Sequence, residues 1–79
     1  MNLRDIAPGQ PARVARISHF DALSERLMEM GLVPGADVEV VRASRLGSPM
    51  QIQVLGYRLS LRAAEAARVE LDALVPSLA

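Results

Sequence analysis

The 79-residue sequence predicts a mainly β fold: a small barrel of about five antiparallel strands, one capping α-helix, and a short helical turn before the last strand. Three observations carry that expectation. Residues 50–61 alternate apolar and polar side chains and change parity halfway. Two Pro-Gly pairs each open an apolar–polar stretch. Only one segment repeats apolar residues at helical spacing. A chain of this length makes one domain, taken as residues 1–79 with a core over about 3–71 and a C-terminal tail over 72–79. A domain this small buries roughly 60% of its unfolded surface, and a hydrophobic share of 51% suffices for one core.

The elements follow in order. Ala7-Pro8-Gly9-Gln10 and Val33-Pro34-Gly35-Ala36 both suit a type II turn, because Pro supplies φ near −65° and Gly the positive φ after it. The first leads into a strand over Ala12 to Ile17, the second into one over Asp37 to Ala43. Between them Asp21 to Met30 reads as the helix. Asp21 caps its free amides and suits the positive end of the helix dipole. Leu23, Leu27 and Met30 form a narrow apolar stripe, with Ser24, Glu25 and Glu29 off it. Gly31 fits the left-handed position that ends many helices, and Pro34 prevents resumption.

The run from Met50 to Leu61 is the clearest. With Leu55-Gly56 as a tight turn, Val54 faces Tyr57, Ile52 faces Leu59 and Met50 faces Leu61. All six then share the core face, while Gln53–Arg58 and Gln51–Ser60 share the other. A slip of one residue would send every apolar side chain into water. Arg62 to Ala67 is Ala-rich and short, which suits one helical turn. Arg68 to Leu71 alternates again as a closing strand, and Asp72 to Ala79, containing Pro76, is expected to fray. Short antiparallel strands close most easily into a barrel, which also removes exposed edges, and a helix then caps one open end. That arrangement is an SH3-like barrel.

Composition excludes several kinds of chemistry. Cys is absent, so disulfides, thiolate metal sites and cysteine nucleophiles are ruled out. Lys is absent too, which removes Schiff-base chemistry and the phosphate-binding lysine of a P-loop. His19 is the one histidine. The nine basic residues are all Arg and balance nine acids, whereas nucleic-acid modules normally carry a basic excess and aromatic platforms. A non-enzymatic protein is therefore expected, with no catalytic residue, no nucleic-acid partner and no resident cofactor. No stretch approaches the ~20 apolar residues of a membrane span, and a cytoplasmic location is the default expectation.

Glu25-Arg26-Leu27-Met28-Glu29-Met30-Gly31-Leu32-Val33-Pro34-Gly35 resembles the helix-to-turn signature of FeoA proteins, small cytosolic components of bacterial ferrous iron uptake. The likeness continues through Arg45-Leu46-Gly47-Ser48-Pro49-Met50, where the family has a Leu-Gly-x-Pro loop. It runs on through Gly56-Tyr57-Arg58-Leu59-Ser60-Leu61-Arg62 and Glu65-Ala66, covering about residues 3–71. The resemblance implies an SH3-like barrel and a non-catalytic role. Its implied partner is FeoB, the membrane transporter with a cytosolic GTP-binding domain, so contact with the membrane would be indirect. A related barrel ends some metal-dependent repressors, but this chain lacks room for the helix-turn-helix and metal-binding domains they need. The family supplies no catalytic or metal-binding residue to carry over.

Candidate contact residues come from the pattern itself. Met28 lies roughly 140° from the middle of the helix stripe, and a flexible thioether on a surface suits a protein contact. Leu46 sits near a loop tip. Arg26, Arg58 and Arg62 are candidates for directed contacts to acidic groups on a partner. Against docking stands a metal-binding or metal-responsive barrel that uses His19 with Asp21, Glu25 and other surface carboxylates, for transient binding of a divalent ion. Helix capping already accounts for those carboxylates. Ser18-His19 with Asp21 superficially suggests a hydrolytic triad, but neighbours in a turn rarely reach that geometry. Proline-rich peptide binding needs an aromatic groove that Phe20 and Tyr57 cannot line. A nucleic-acid-binding barrel is disfavoured by neutral charge, and self-association is left open.

Overall fold

The computed structural model describes residues 1–43 and 49–74. Within them the chain runs through a 3-10 turn at Leu3–Asp5, strand β1 (Pro11–Ile17), helix α1 (Ala22–Glu29), β2 (Asp37–Arg42), β3 (Met50–Val54), β4 (Tyr57–Leu61), a one-turn helix α2 (Ala63–Ala66) and β5 (Val69–Leu74). The strands form one antiparallel sheet in the order β4-β3-β2-β1-β5. Among the described residues, no helix is long and apolar enough to cross a membrane.

Both Pro-Gly pairs make the expected turns. Gly9 and Gly35 have φ of +85° and +89°, and the Gln10 and Ala36 amides close the turns onto the Ala7 and Val33 carbonyls at 3.2 and 3.0 Å. Each turn also hooks the other strand. The Gly9 amide donates to the Val40 carbonyl of β2, and the Gly35 amide to the Val14 carbonyl of β1, both at 2.8 Å. The β1–β2 pair is therefore tied at two turns as well as along its ladder.

The β3–β4 hairpin has the register that the parity change requires: Val54↔Tyr57, Ile52↔Leu59 and Met50↔Leu61. Leu55 and Gly56 carry φ of +50° and +80°, the paired positive values of a type I′ turn, whose twist matches that of the flanking strands. In β1 the buried positions are Ala12, Val14 and Ile17, a change of parity that coincides with register shifts against β5 around Val14. Such bulges bend a strand while keeping its apolar side chains inward.

The core is built from Ala12, Val14, Val38, Val40, Met50, Ile52, Val54 and Leu61 on the sheet, with Leu27 and Leu32 from the end of α1 and Leu3 from the 3-10 turn. Leu59 packs against it partly buried. Two side chains and one segment depart from the expected pattern. Tyr57 keeps the parity of the core face but lies at the rim of the hairpin, 41% exposed. Ser24, off the predicted stripe, is fully buried, because Arg68 reaches over it from the start of β5. Asp72 to Leu74 continue β5 where fraying was expected, held in register by Ala12 and Arg13 of β1. The 3-10 turn has no periodic signal. Its signature is local: Asn2 Oδ1 accepts from the Arg4 amide and Asp5 Oδ2 from the Asn2 amide, both at 2.8 Å.

Candidate interaction surface

Helix α1 is fixed differently at its two ends. At the start, Asp21 Oδ1 accepts from the Ser24 amide at 3.0 Å. Arg68 Nη1 lies 2.6 Å from both carboxylate oxygens of Asp21 and 3.3 Å from Ser24 Oγ. The Arg68 guanidinium, with the Ser24 amide second, holds the Asp21 carboxyl well below the usual carboxylate range. The charge on Asp21 is thus committed to joining α1 to β5.

At the other end, the Leu32 amide donates to the Leu27 carbonyl and the Gly31 amide to the Met28 carbonyl, at 3.1 and 3.0 Å. These are the two bonds of a Schellman motif, with Gly31 at φ +103° and its apolar pair, Leu27 and Leu32, fully buried. The hairpin tip rests on this end. A Cβ on Gly31 would come within 2.6 Å of Leu55 Cδ1, so glycine there serves both the backbone angle and the close approach. The Tyr57 hydroxyl donates to the Met30 carbonyl.

Around this junction several large apolar side chains face solvent: Leu55 is 69% exposed, and Met28, Val33 and Tyr57 are also exposed. At the opposite end of α1, Phe20 is wholly exposed. Of the expected contact residues, Met28 and Arg26 are exposed on α1, while Arg58 on β4 and Arg62 just after it are exposed on the hairpin side. The structure thus divides them between two places. Leu46 lies outside the described residues. Arg26, Arg58 and Arg62 form no ion pair among the described residues, whereas Arg13 pairs with Asp37, Arg16 with Glu70 and Arg68 with Asp21. Two of these pairs follow from the β1 registers, Arg13 being opposite Asp37 and Arg16 opposite Glu70.

Sequence reasoning missed Leu55, Val33 and Phe20. For Leu55 a signal existed, since the first residue of a two-residue I′ turn projects into solvent and a leucine there is out of place. Phe20 offered none beyond its position between a strand and a helix cap.

The triad geometry is not formed. Ser18 Oγ lies 2.8 Å from His19 Nδ1, but both Asp21 oxygens are engaged by Arg68. Among the described residues, no three of His, Asp and Glu gather as a metal would require.

The FeoA domain model matches residues 1–73. An Fe(2+) transport protein A/Fe(2+) transporter FeoB fusion protein of Porphyromonas gingivalis is 31% identical over 72 residues, a match covering 91% of this chain and 8% of the fusion. Among solved structures, iron(II) transport protein A from Clostridium thermocellum superposes with a TM-score of 0.84 at 36% identity, covering 92% of this chain and 45% of that one. FeoA of Stenotrophomonas maltophilia complexed with zinc, a prokaryotic SH3 domain protein, superposes at 0.82 with 34% identity, covering 91% of this chain and 89% of that one. The five antiparallel strands and helix are thus an SH3-like fold. The chain spans a small fraction of the fusion and under half of the Clostridium protein.

Proposed function

Since the chain belongs to the FeoA family, we propose that it is a non-catalytic accessory of ferrous iron uptake, docking on the cytosolic part of a FeoB-type transporter and modulating it. The observation that carries this reading is the Porphyromonas relative, which joins the two names in one polypeptide. Fusing two modules converts their encounter into an intramolecular event at high effective concentration, an advantage only where the two work together. The surface suits such a role. Exposed apolar side chains at the helix–hairpin junction supply contacts, and so do Arg26, Arg58 and Arg62, which form no ion pair among the described residues.

Any modulation is a coupling free energy between docking and the nucleotide state of the transporter, so each must alter the other by the same factor. The test is binding of the purified chain to the detergent-solubilised FeoB-type transporter of the same organism, with and without guanine nucleotide. The expected result is saturable binding whose affinity differs between nucleotide states. No binding under either condition overturns the reading.

The zinc complex of the Stenotrophomonas relative favours a second reading, direct metal binding. Here it would draw on His19 and surface carboxylates. Titration with Fe²⁺ and Zn²⁺ separates the two: affinity lost in His19→Ala supports a site, and equal weak binding by both proteins removes His19 as a ligand.

A further inference from the structure

The two outer edges of the sheet are finished differently. On β5 the outward amide of Leu71 donates to the Met1 carbonyl at 2.8 Å, and Asn2 bridges Glu70, so the N-terminal residues cover that edge. The opposite edge is β4. In a hairpin with a two-residue turn, the residues flanking the turn exchange hydrogen bonds and the bonded pairs then alternate. Tyr57, Leu59 and Leu61 therefore bond to β3, and the backbone groups of Arg58 and Ser60 point the other way. Both residues are exposed, and among the described residues neither backbone amide or carbonyl meets a partner. Unpaired backbone groups along an edge are a template for one more strand.

The side chains indicate which kind of strand. Arg58 has no ion pair among the described residues, and neither has Arg62 or Arg42, the latter two strands away from Ser60 across Gln51. Of the acids nearby, Glu39 lies beyond Gln53 in the row of Arg58, and the Glu65 carboxylate accepts from the Arg62 backbone amide at 2.7 Å. β4 itself carries no acid. Pairing it antiparallel with the β4 of a second copy would set Arg58 against Arg58, Ser60 or Arg62. In the first and last of these registers like charges lie directly opposite, which is destabilising, while the middle one leaves the arginines without a countercharge. The edge suits a strand of the opposite charge.

We propose that the β4 edge receives an extended segment of the partner that carries carboxylates at alternate positions. Its main chain bonds to Arg58 and Ser60, and its carboxylates meet Arg58, with Arg62 flanking at the end of the strand. This names the chemistry of the docking segment and rests on the docking reading above. Main-chain bonds supply affinity, while the arginines set register and reject other segments.

Two variants test it. Ser60→Pro removes an outward N–H without removing a ladder bond, a place where an edge strand tolerates proline. Arg58→Glu combined with Arg62→Glu reverses the charge and touches no backbone group. Each is measured for binding to the detergent-solubilised FeoB-type transporter, together with hydrogen exchange of the wild-type chain in the complex. Both variants are expected to bind at least about tenfold more weakly. The Arg58 and Ser60 amides should slow on complex formation, while the Leu59 amide, already bonded to β3, stays unchanged. Should Ser60→Pro fail to fold, the charge variant decides. Variants that bind as wild type, with the Arg58 and Ser60 amides unprotected in the complex, overturn the edge proposal and leave docking standing. Absence of wild-type binding overturns both. Salt-dependent binding to a single-stranded oligonucleotide, lost in the charge variant and with no binding to the transporter, assigns the edge to a polyanion and overturns the proposal.

Discussion

β5 and β4 border the same sheet, yet among the described residues one edge is covered and the other open. On β5 the residues Met1 and Asn2 take up outward backbone groups, and Arg16 grips Glu70 with two bonds at 3.1 and 3.2 Å. β4 is held by its ladder to β3 and, at the hairpin tip, by Leu55 and Tyr57 leaning on the end of α1, while on its outer side the midsection presents Arg58 and Ser60 to solvent. Exposed edges invite unwanted pairing, and charge is a usual guard. The difference teaches that an edge can be closed by the chain's own residues or left open under like charges, which repel a copy while admitting an acidic strand.

The largest expected effect falls on the element both edges depend on. Ile52 is fully buried on β3, and Ile52→Ala should destabilise the domain by about 2–5 kcal/mol in chemical denaturation. The same truncation at half-buried Leu59 of β4 should lose distinctly less. Equal losses would mean that the open edge is packed as tightly as the centre.

Next comes the anchor of the β4 hairpin. Gly31→Ala places a side chain at φ +103° and against Leu55, with an expected loss of roughly 1–2 kcal/mol. Because Tyr57 is the only tyrosine and Trp is absent, intrinsic fluorescence reports on this junction. Its spectrum should change in the variant's folded state, and an unchanged signal would separate Gly31 from the hairpin.

On the closed edge, Asn2→Ala removes the cap of the 3-10 turn. It should lower stability by about 0.5–1 kcal/mol and speed exchange at Leu71. Stability loss without faster exchange at Leu71 would mean that the cap and the edge cover are independent.

The smallest effect is at Asp21. Its carboxyl is depressed in the folded state, so the stability it contributes is present above about pH 4, the ordinary Asp value, and is lost as pH falls below that. Asn caps a helix about as well as Asp, so Asp21→Asn isolates the Arg68 pair. The stability gap between the two proteins should be full near neutrality and narrow on acidification below about pH 4. A gap independent of pH would remove the ion pair from the account.

Much of the sheet was legible because period-two alternation is strict where one face is buried. Met50, Ile52 and Val54 facing Leu61, Leu59 and Tyr57 admit one register only. The helix was legible from its ends, Asp21 and Gly31. What escaped depends on contacts between segments distant in sequence. Ser24 is buried by Arg68, and Tyr57 is drawn to the rim by the Met30 carbonyl. β5 runs on to Leu74 because β1 is long enough to pair with it. The candidate surface was less legible, since solvent exposure leaves no period to read. Met28, Arg26, Arg58 and Arg62 were found as exposed residues, but their division between helix and hairpin, and the open edge beside Arg58, follow from strand order.

Residue-resolved hydrogen exchange on the free chain bears most directly on the contrast between the two edges, through the outward amides of Leu71 on β5 and Ser60 on β4. Leu71, bonded to Met1, should be protected, and Ser60 should exchange close to the rate of an unstructured amide. Protection of Ser60 equal to that of Leu71 would show that the β4 edge is already occupied, and the account of an open docking edge would be wrong.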